Sequence, residues 1–95
     1  MQLVTIAAVT KSWKGRVESL LDGLNNKTAT LASVAEELHL IGMEISKVKN
    51  EFSCETDNPK DVHDEVMQML FDFSIKCFEV SSEIMKNKLK YGTQI

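Results

Sequence analysis

The chain has 95 residues, a formal net charge of −3 and 43% apolar residues. A chain of this length supports one core, and its composition is that of a globular rather than a disordered protein. The small negative charge gives no general attraction for nucleic acid or an anionic membrane, and no run of about 20 apolar residues could span a bilayer. We therefore predict one domain over residues 1–95, with neither a nucleic-acid partner nor a lipid-spanning segment.

The first nine residues are mostly apolar, but no basic residue precedes them and Lys11 follows at once. A secretory signal needs a basic start, a longer apolar stretch and a small-residue cleavage site. We expect no cleaved signal. The chain is then made in the cytoplasm, where it either stays or leaves for the cell envelope or surface by another route.

Apolar residues recur on a heptad through the first half of the chain. Only Thr10 and Lys27 interrupt the pattern, which is typical of a long helix facing a partner helix. The two heptad rows are Leu3, Thr10, Val17, Leu24, Leu31, Leu38, Ile45 and Phe52, and Ile6, Trp13, Leu20, Lys27, Val34, Ile41 and Val48. Residues 22–26 contain Gly and Asn and indicate a turn. Two arrangements remain open: one helix over about 3–53, loosened at 22–26, which the unbroken heptad phase favours, or two shorter helices.

A turn at residues 54–58 separates this segment from a helix over about 59–91. Asn58 suits the N-cap, and Pro59 suits the first helical position. Acidic residues follow the start and lysines lie near the end, as the helix dipole favours. Gly92 suits the residue after the last turn.

These features predict an all-α fold. The fold is a long antiparallel helical hairpin, or a three-helix bundle if the first helix breaks near Gly23. The hairpin seam comprises Leu24, Leu31, Leu38, Ile45, Phe52, Val66, Leu70, Phe73, Cys77, Val80 and Ile84. With the turn near residue 56, two residues that face each other in the hairpin have numbers that add up to about 112. The second helix ends near residue 91, so it covers the first helix only from residue 21 onwards.

Apolar residues outside the seam are left without cover in such a hairpin. Burying one large apolar side chain contributes about 1.5–3 kcal/mol, and exposed apolar patches mark interaction sites. We predict that two sets form interfaces with other protein chains. They are Leu3, Ile6, Trp13 and Val17 on the first helix, and Phe71, Ile75, Phe78, Met85 and Leu89 on the second.

Residue types that carry chemistry do not cluster in the sequence. His39 and His63 belong to no metal-ligand pattern, and the chain has no glycine-rich phosphate loop or nucleophile motif. Cys54 and Cys77 would lie roughly 25–30 Å apart in the hairpin, too far for a disulfide, and free thiols indicate a reducing compartment. We predict no enzymatic activity, no metal and no cofactor.

The second half of the chain combines a turn at Asp57-Asn58-Pro59, a Met67-Gln68 pair, an aromatic and aliphatic run at 70–75 and the ending Gln94-Ile95. In these features it resembles the needle and inner-rod subunits of bacterial type III secretion systems. The resemblance covers residues 57–95. It implies a helical subunit whose C-terminal helix packs against neighbouring copies and lines an export channel.

We therefore expect a structural or interaction subunit that self-associates or docks with similar helical chains, as in a type III secretion needle or inner rod. The alternative is a small coiled-coil adaptor, tether or chaperone subunit of a cytoplasmic hetero-oligomer. In both cases the partners are protein chains.

Overall fold

The computed structural model describes residues 2–92, with side chains over residues 2–86. It contains three helices, α1 (Leu3–Asn25), α2 (Leu31–Ser53) and α3 (Lys60–Gly92), and no strand among the described residues. The prediction of an all-α fold is confirmed. The helices α2 and α3 form a close antiparallel hairpin, and α1 folds back along it. The result is an elongated bundle that measures 54 × 20 × 16 Å.

The favoured continuous helix over 3–53 is wrong, because α1 ends at Asn25 and α2 begins only at Leu31. Residues 22–25 stay helical, and the chain leaves the helix at Lys27, which has a φ of 59°. The Thr28 N–H donates to the Gly23 carbonyl at 2.9 Å, and the Lys27 N–H donates to the Leu24 carbonyl at 3.2 Å. These two bonds are the Schellman termination, which satisfies the last carbonyls of a helix.

The start of α2 is capped on the other side of this break. The Thr30 side chain accepts a hydrogen bond from the Ser33 N–H at 3.1 Å, as an N-cap residue does. The turn that ends α1 and the cap that starts α2 therefore decide that the helix is interrupted, although the heptad pattern continues across the break. At the second turn, α3 begins one residue later than expected, since the Pro59 carbonyl accepts the His63 N–H.

Small residues bring α2 and α3 together. Ala35 and Gly42 lie seven residues apart on α2, and Ser74 and Ser81 lie seven apart on α3; all four are buried. The Ser81 hydroxyl donates to the Ala35 carbonyl at 2.6 Å. A Cβ at Gly42 would lie only 2.7 Å from the ring of Phe78. The interface therefore depends on the missing side chain at Gly42.

The register of the hairpin is shifted slightly from the predicted one. Contacting residues have numbers that add up to 116 for Ala35 and Ser81 and to 115 for Phe52 and His63, rather than about 112. A helical side chain covers the surface about one position N-terminal to its own Cα. In an antiparallel pair both partners shift in this way, which raises the sum by about two. The later start of α3 adds to the shift.

Most of the predicted seam forms the core. Leu38, Ile45, Phe52, Leu70, Cys77 and Ile84 are buried, and Leu24, Val66, Phe73 and Val80 are half-buried. Leu31 is 40% exposed, because it occupies the first helical position after the break. Val34 and Ile41, from the second heptad row, are fully buried.

Candidate interaction surfaces

The helix α1 is anchored to both other helices through Trp13. The Trp13 ring makes an edge-on contact with Phe73 on α3, with 6.3 Å between centroids and 86° between planes. Its indole N–H donates to the Glu44 carboxylate on α2 at 3.2 Å, and the Arg16 guanidinium donates to the same oxygen at 2.6 Å. The indole therefore links all three helices.

This anchoring corrects one predicted interface. Trp13 is only 4% exposed and Ile6 only 3%, so both side chains are covered within one chain rather than by another. The cause is the break at 26–30, which lets α1 return over the hairpin. Of the same set, Val17 is half-buried and Leu3 is exposed.

The hydrogen bond from Arg16 lowers the pKa of Glu44 below its ordinary value. Partial burial of the carboxylate acts against this shift, whereas the hydrogen bond from Trp13 and the charge of Arg16 reinforce it. The folded state therefore favours the ionised carboxylate at this position.

An apolar groove runs between α1 and α3, and we call it the α1/α3 groove. It extends from Leu3 and Val62 at one end to Val17 and Lys76 at the other. It comprises two adjoining cavities of about 530 Å³ and 520 Å³, and both are lined by Lys14 and Met69. The helix α1 is parallel to α3, because each is antiparallel to α2. Short side chains such as Ala7 and Val62 leave the space between α1 and α3 unfilled.

Three lysines, Lys11 and Lys14 on α1 and Lys76 on α3, line this groove. None of them takes part in an ion pair among the described residues. Glu18 and Asp72 line only the end near Val17, so the half nearer Leu3 has basic but no acidic lining.

A second apolar surface lies on the other side of α3, and we call it the outer stripe. It comprises Phe71, Ile75, Phe78 and Met85. Phe71, Ile75 and Met85 are 45%, 38% and 41% exposed, at spacings that place them along one face of the helix. Leu89, which belongs to the same predicted set, has its side chain outside the described residues.

Phe78 is the one half-buried member of the outer stripe. Its ring packs over Gly42 and lies 5.1 Å from the ring of His39. The Lys49 ammonium sits 4.8 Å from the ring centre of Phe71. The stripe therefore contacts α2 at Gly42, His39 and Lys49, while Phe71 and Ile75 remain partly exposed.

The histidines and cysteines have structural surroundings. His63 stacks on Phe52 with 5.0 Å between ring centroids, and its Nε2 lies 3.3 Å from the Phe52 carbonyl. Cys54 is exposed and Cys77 is buried, both as free thiols, and burial raises the pKa of the Cys77 thiol. Among the described residues, no group of three or more His, Cys, Asp or Glu could hold a metal ion.

Sequence reasoning missed the small-residue contact between α2 and α3 and the α1/α3 groove. The first has a readable signal, since Ala35 and Gly42 repeat at seven residues, as do Ser74 and Ser81. The groove has none, because it depends on where α1 lies after the chain reverses.

None of the described helices combines the length and the apolar character needed to cross a bilayer. No protein-family model, no curated protein and no solved structure matches this chain. The outer stripe and the α1/α3 groove are therefore the features of the molecule that indicate a function.

Proposed function

We propose that this chain is a helical interaction subunit that self-associates through the outer stripe. The observation that carries the proposal is the exposure of Phe71, Ile75 and Met85 along one face of α3. Each large apolar side chain that leaves water contributes about 1.5–3 kcal/mol. A row of them on a rigid helix is a surface of the kind that protein partners cover.

The narrower form of this proposal is a needle or inner-rod subunit of a type III secretion system. It depends on the resemblance of residues 57–95 and assigns the outer stripe to contacts between neighbouring copies. Its sequence features extend to Gln94 and Ile95, which lie outside the described residues. Neighbouring genes for an export ATPase and membrane rings would support it.

The alternative is an adaptor, tether or chaperone subunit of a hetero-oligomer. One observation favours it: Ile6 and Trp13 on α1 are already covered within the same chain, so one of the two predicted interfaces is not available to another copy. A photoreactive cross-linker at Ile75 in the native cell separates the two forms. Cross-links to a second copy support self-association, and cross-links to one different protein at fixed stoichiometry support the adaptor.

The direct test replaces Phe71 and Ile75 together by glutamate. Both side chains are exposed, so the bundle should keep its helicity, whereas two charges placed in an apolar interface should prevent association. The matched control is Leu40→Glu, since Leu40 is a similarly exposed residue on α2 outside the stripe. Sedimentation and circular dichroism on the same samples measure both effects.

The expected result is an oligomeric wild type, an oligomeric Leu40→Glu variant and a folded, monomeric double variant. A wild type that stays monomeric at high micromolar concentration would contradict self-association. Equal loss of association in the Leu40→Glu control would contradict the role of the outer stripe.

A further inference from the structure

We propose that the α1/α3 groove binds a single amphipathic helix of a different protein, one with acidic residues beside its apolar face. This inference concerns a different surface from the outer stripe and does not depend on self-association. The groove, the two lysines that line its half nearer Leu3, and the close pairing of α2 with α3 are the observations that carry it.

The shape of the groove fits a helix. It is open to solvent on one side and follows α1 from Leu3 to Val17, which is a length of about 21 Å at 1.5 Å per residue. A small molecule in its pocket usually has most of its surface covered, which a long open channel does not provide. An amphipathic helix needs cover on one face only.

The bundle also has an open position for such a helix. α2 packs against both α1 and α3, whereas no Cα atoms of α1 and α3 approach within 8 Å of each other over the described helices. A helix in the α1/α3 groove would lie opposite α2 and contact the same two helices. An up-down four-helix bundle has this arrangement, which favours a guest helix antiparallel to α1 and α3.

The charges of the groove define the chemistry of the partner. The chain has a net charge of −3, yet Lys11 and Lys14 line the half of the groove nearer Leu3 with no acidic neighbour in that lining. Acidic residues beside the apolar face of a guest helix would meet these lysines. Lysine at the same positions of a guest helix would be repelled, so Lys11 and Lys14 discriminate between otherwise similar helices.

A second copy of this chain is a poor occupant of the groove. The outer stripe of a second copy lies on α3, and α3 is held against α2 by the contact of Ser81 with Ala35 and of Phe78 with Gly42. The α3 helix of a second copy would therefore bring α2 with it. A single helix with no such neighbour therefore suits the groove better.

The probe for this proposal is a display library of helical peptides about 18 residues long, or about 27 Å. Leucine is fixed along one face and the flanking positions are randomised, and selection uses the wild-type chain. We expect the selected peptides to carry Asp or Glu at the flanking positions that lie beside Lys11 and Lys14. Enrichment of Lys or Arg at those positions, or no binding peptide at all, would overturn the proposal.

Two variants locate the bound peptide. Met69→Glu places a charge in the part of the groove that both cavities share and should abolish binding; circular dichroism checks that it stays folded. Lys14→Glu alters only an exposed charge and should weaken binding by about tenfold or more. The matched control, Lys47→Glu, makes the same charge change on an exposed part of α2 and should leave binding unchanged.

Other occupants give different outcomes. Peptides that bind Met69→Glu as well as the wild type, or that lose binding in the Phe71 and Ile75 double variant, would place the site outside the groove and overturn the proposal. Self-association that Met69→Glu abolishes would make a second copy the occupant and would also overturn it.

Discussion

Replacing Gly42 by alanine tests how closely α2 and α3 approach. Alanine is more favourable than glycine in a helix interior by about 1 kcal/mol. At Gly42, however, the new Cβ would lie 2.7, 2.9 and 3.0 Å from three atoms of the Phe78 ring. Overpacking of this kind costs about 1–3 kcal/mol. The net effect is therefore a loss of up to about 2 kcal/mol in the free energy of unfolding.

Gly15 supplies the matched control, since a Cβ there meets no atom within 4 Å. Gly15→Ala should raise the free energy of unfolding by about 1 kcal/mol, or roughly 4–8 °C in Tm for a domain of this size. The two alanine variants should therefore differ by about 1–3 kcal/mol, and this difference measures the clash with Phe78.

A double-mutant cycle assigns the clash to its partner. Phe78→Ala alone should destabilise the bundle, because it removes the ring that packs over Gly42. In that background Gly42→Ala should become stabilising by about 1 kcal/mol, since only the helix preference remains. Urea unfolding followed by circular dichroism measures all four proteins. If Gly42→Ala has the same effect with and without the Phe78 ring, the contact between the two helices is not as described.

Three further predictions concern the break, the Trp13 anchor and the thiols. Lys27→Gly should stabilise the chain by about 0.5–1 kcal/mol, because φ is positive at this position. Thr30→Ala should destabilise it by about 1 kcal/mol, because the N-cap hydrogen bond is lost. Thermal unfolding measures both effects, and a loss of stability in Lys27→Gly would contradict the Schellman turn. Because the folded-state pKa of Glu44 is lowered, the ionised carboxylate contributes to the free energy of unfolding above pH 4.5, which is the ordinary pKa of the group. This contribution is lost as pH falls through the folded-state pKa. Glu44→Gln should thus be less stable than the wild type by about 0.2–1 kcal/mol near neutral pH, and the two proteins should become equally stable in acid. A difference in stability that stays constant from neutral to acidic pH would refute the role of the ionised carboxylate. A thiol reagent should label Cys54 at once and Cys77 only upon unfolding, and equal rates would show that α3 is not packed as described.

The helical content and most of the seam follow from the sequence, because they depend on short-range periodicity. Leu38, Ile45, Phe52, Leu70 and Cys77 recur at heptad spacing, and a helix with such spacing must bury that face. The turn before α3 follows as well, since proline restricts both itself and the residue before it. Each of these features depends on residues that are close in the chain.

The position of α1 was decided only by the tertiary structure. A heptad pattern shows that Ile6 and Trp13 face a partner, but it does not show whether that partner belongs to the same chain. The outcome depends on the balance between continuing a helix through residues 26–30 and ending it with the turn at Lys27 and the cap at Thr30. Once the chain reverses, Trp13 reaches Phe73 and Glu44, and these contacts between distant residues stabilise the reversal. The α1/α3 groove exists for the same reason, because it lies between helices that only this reversal brings side by side.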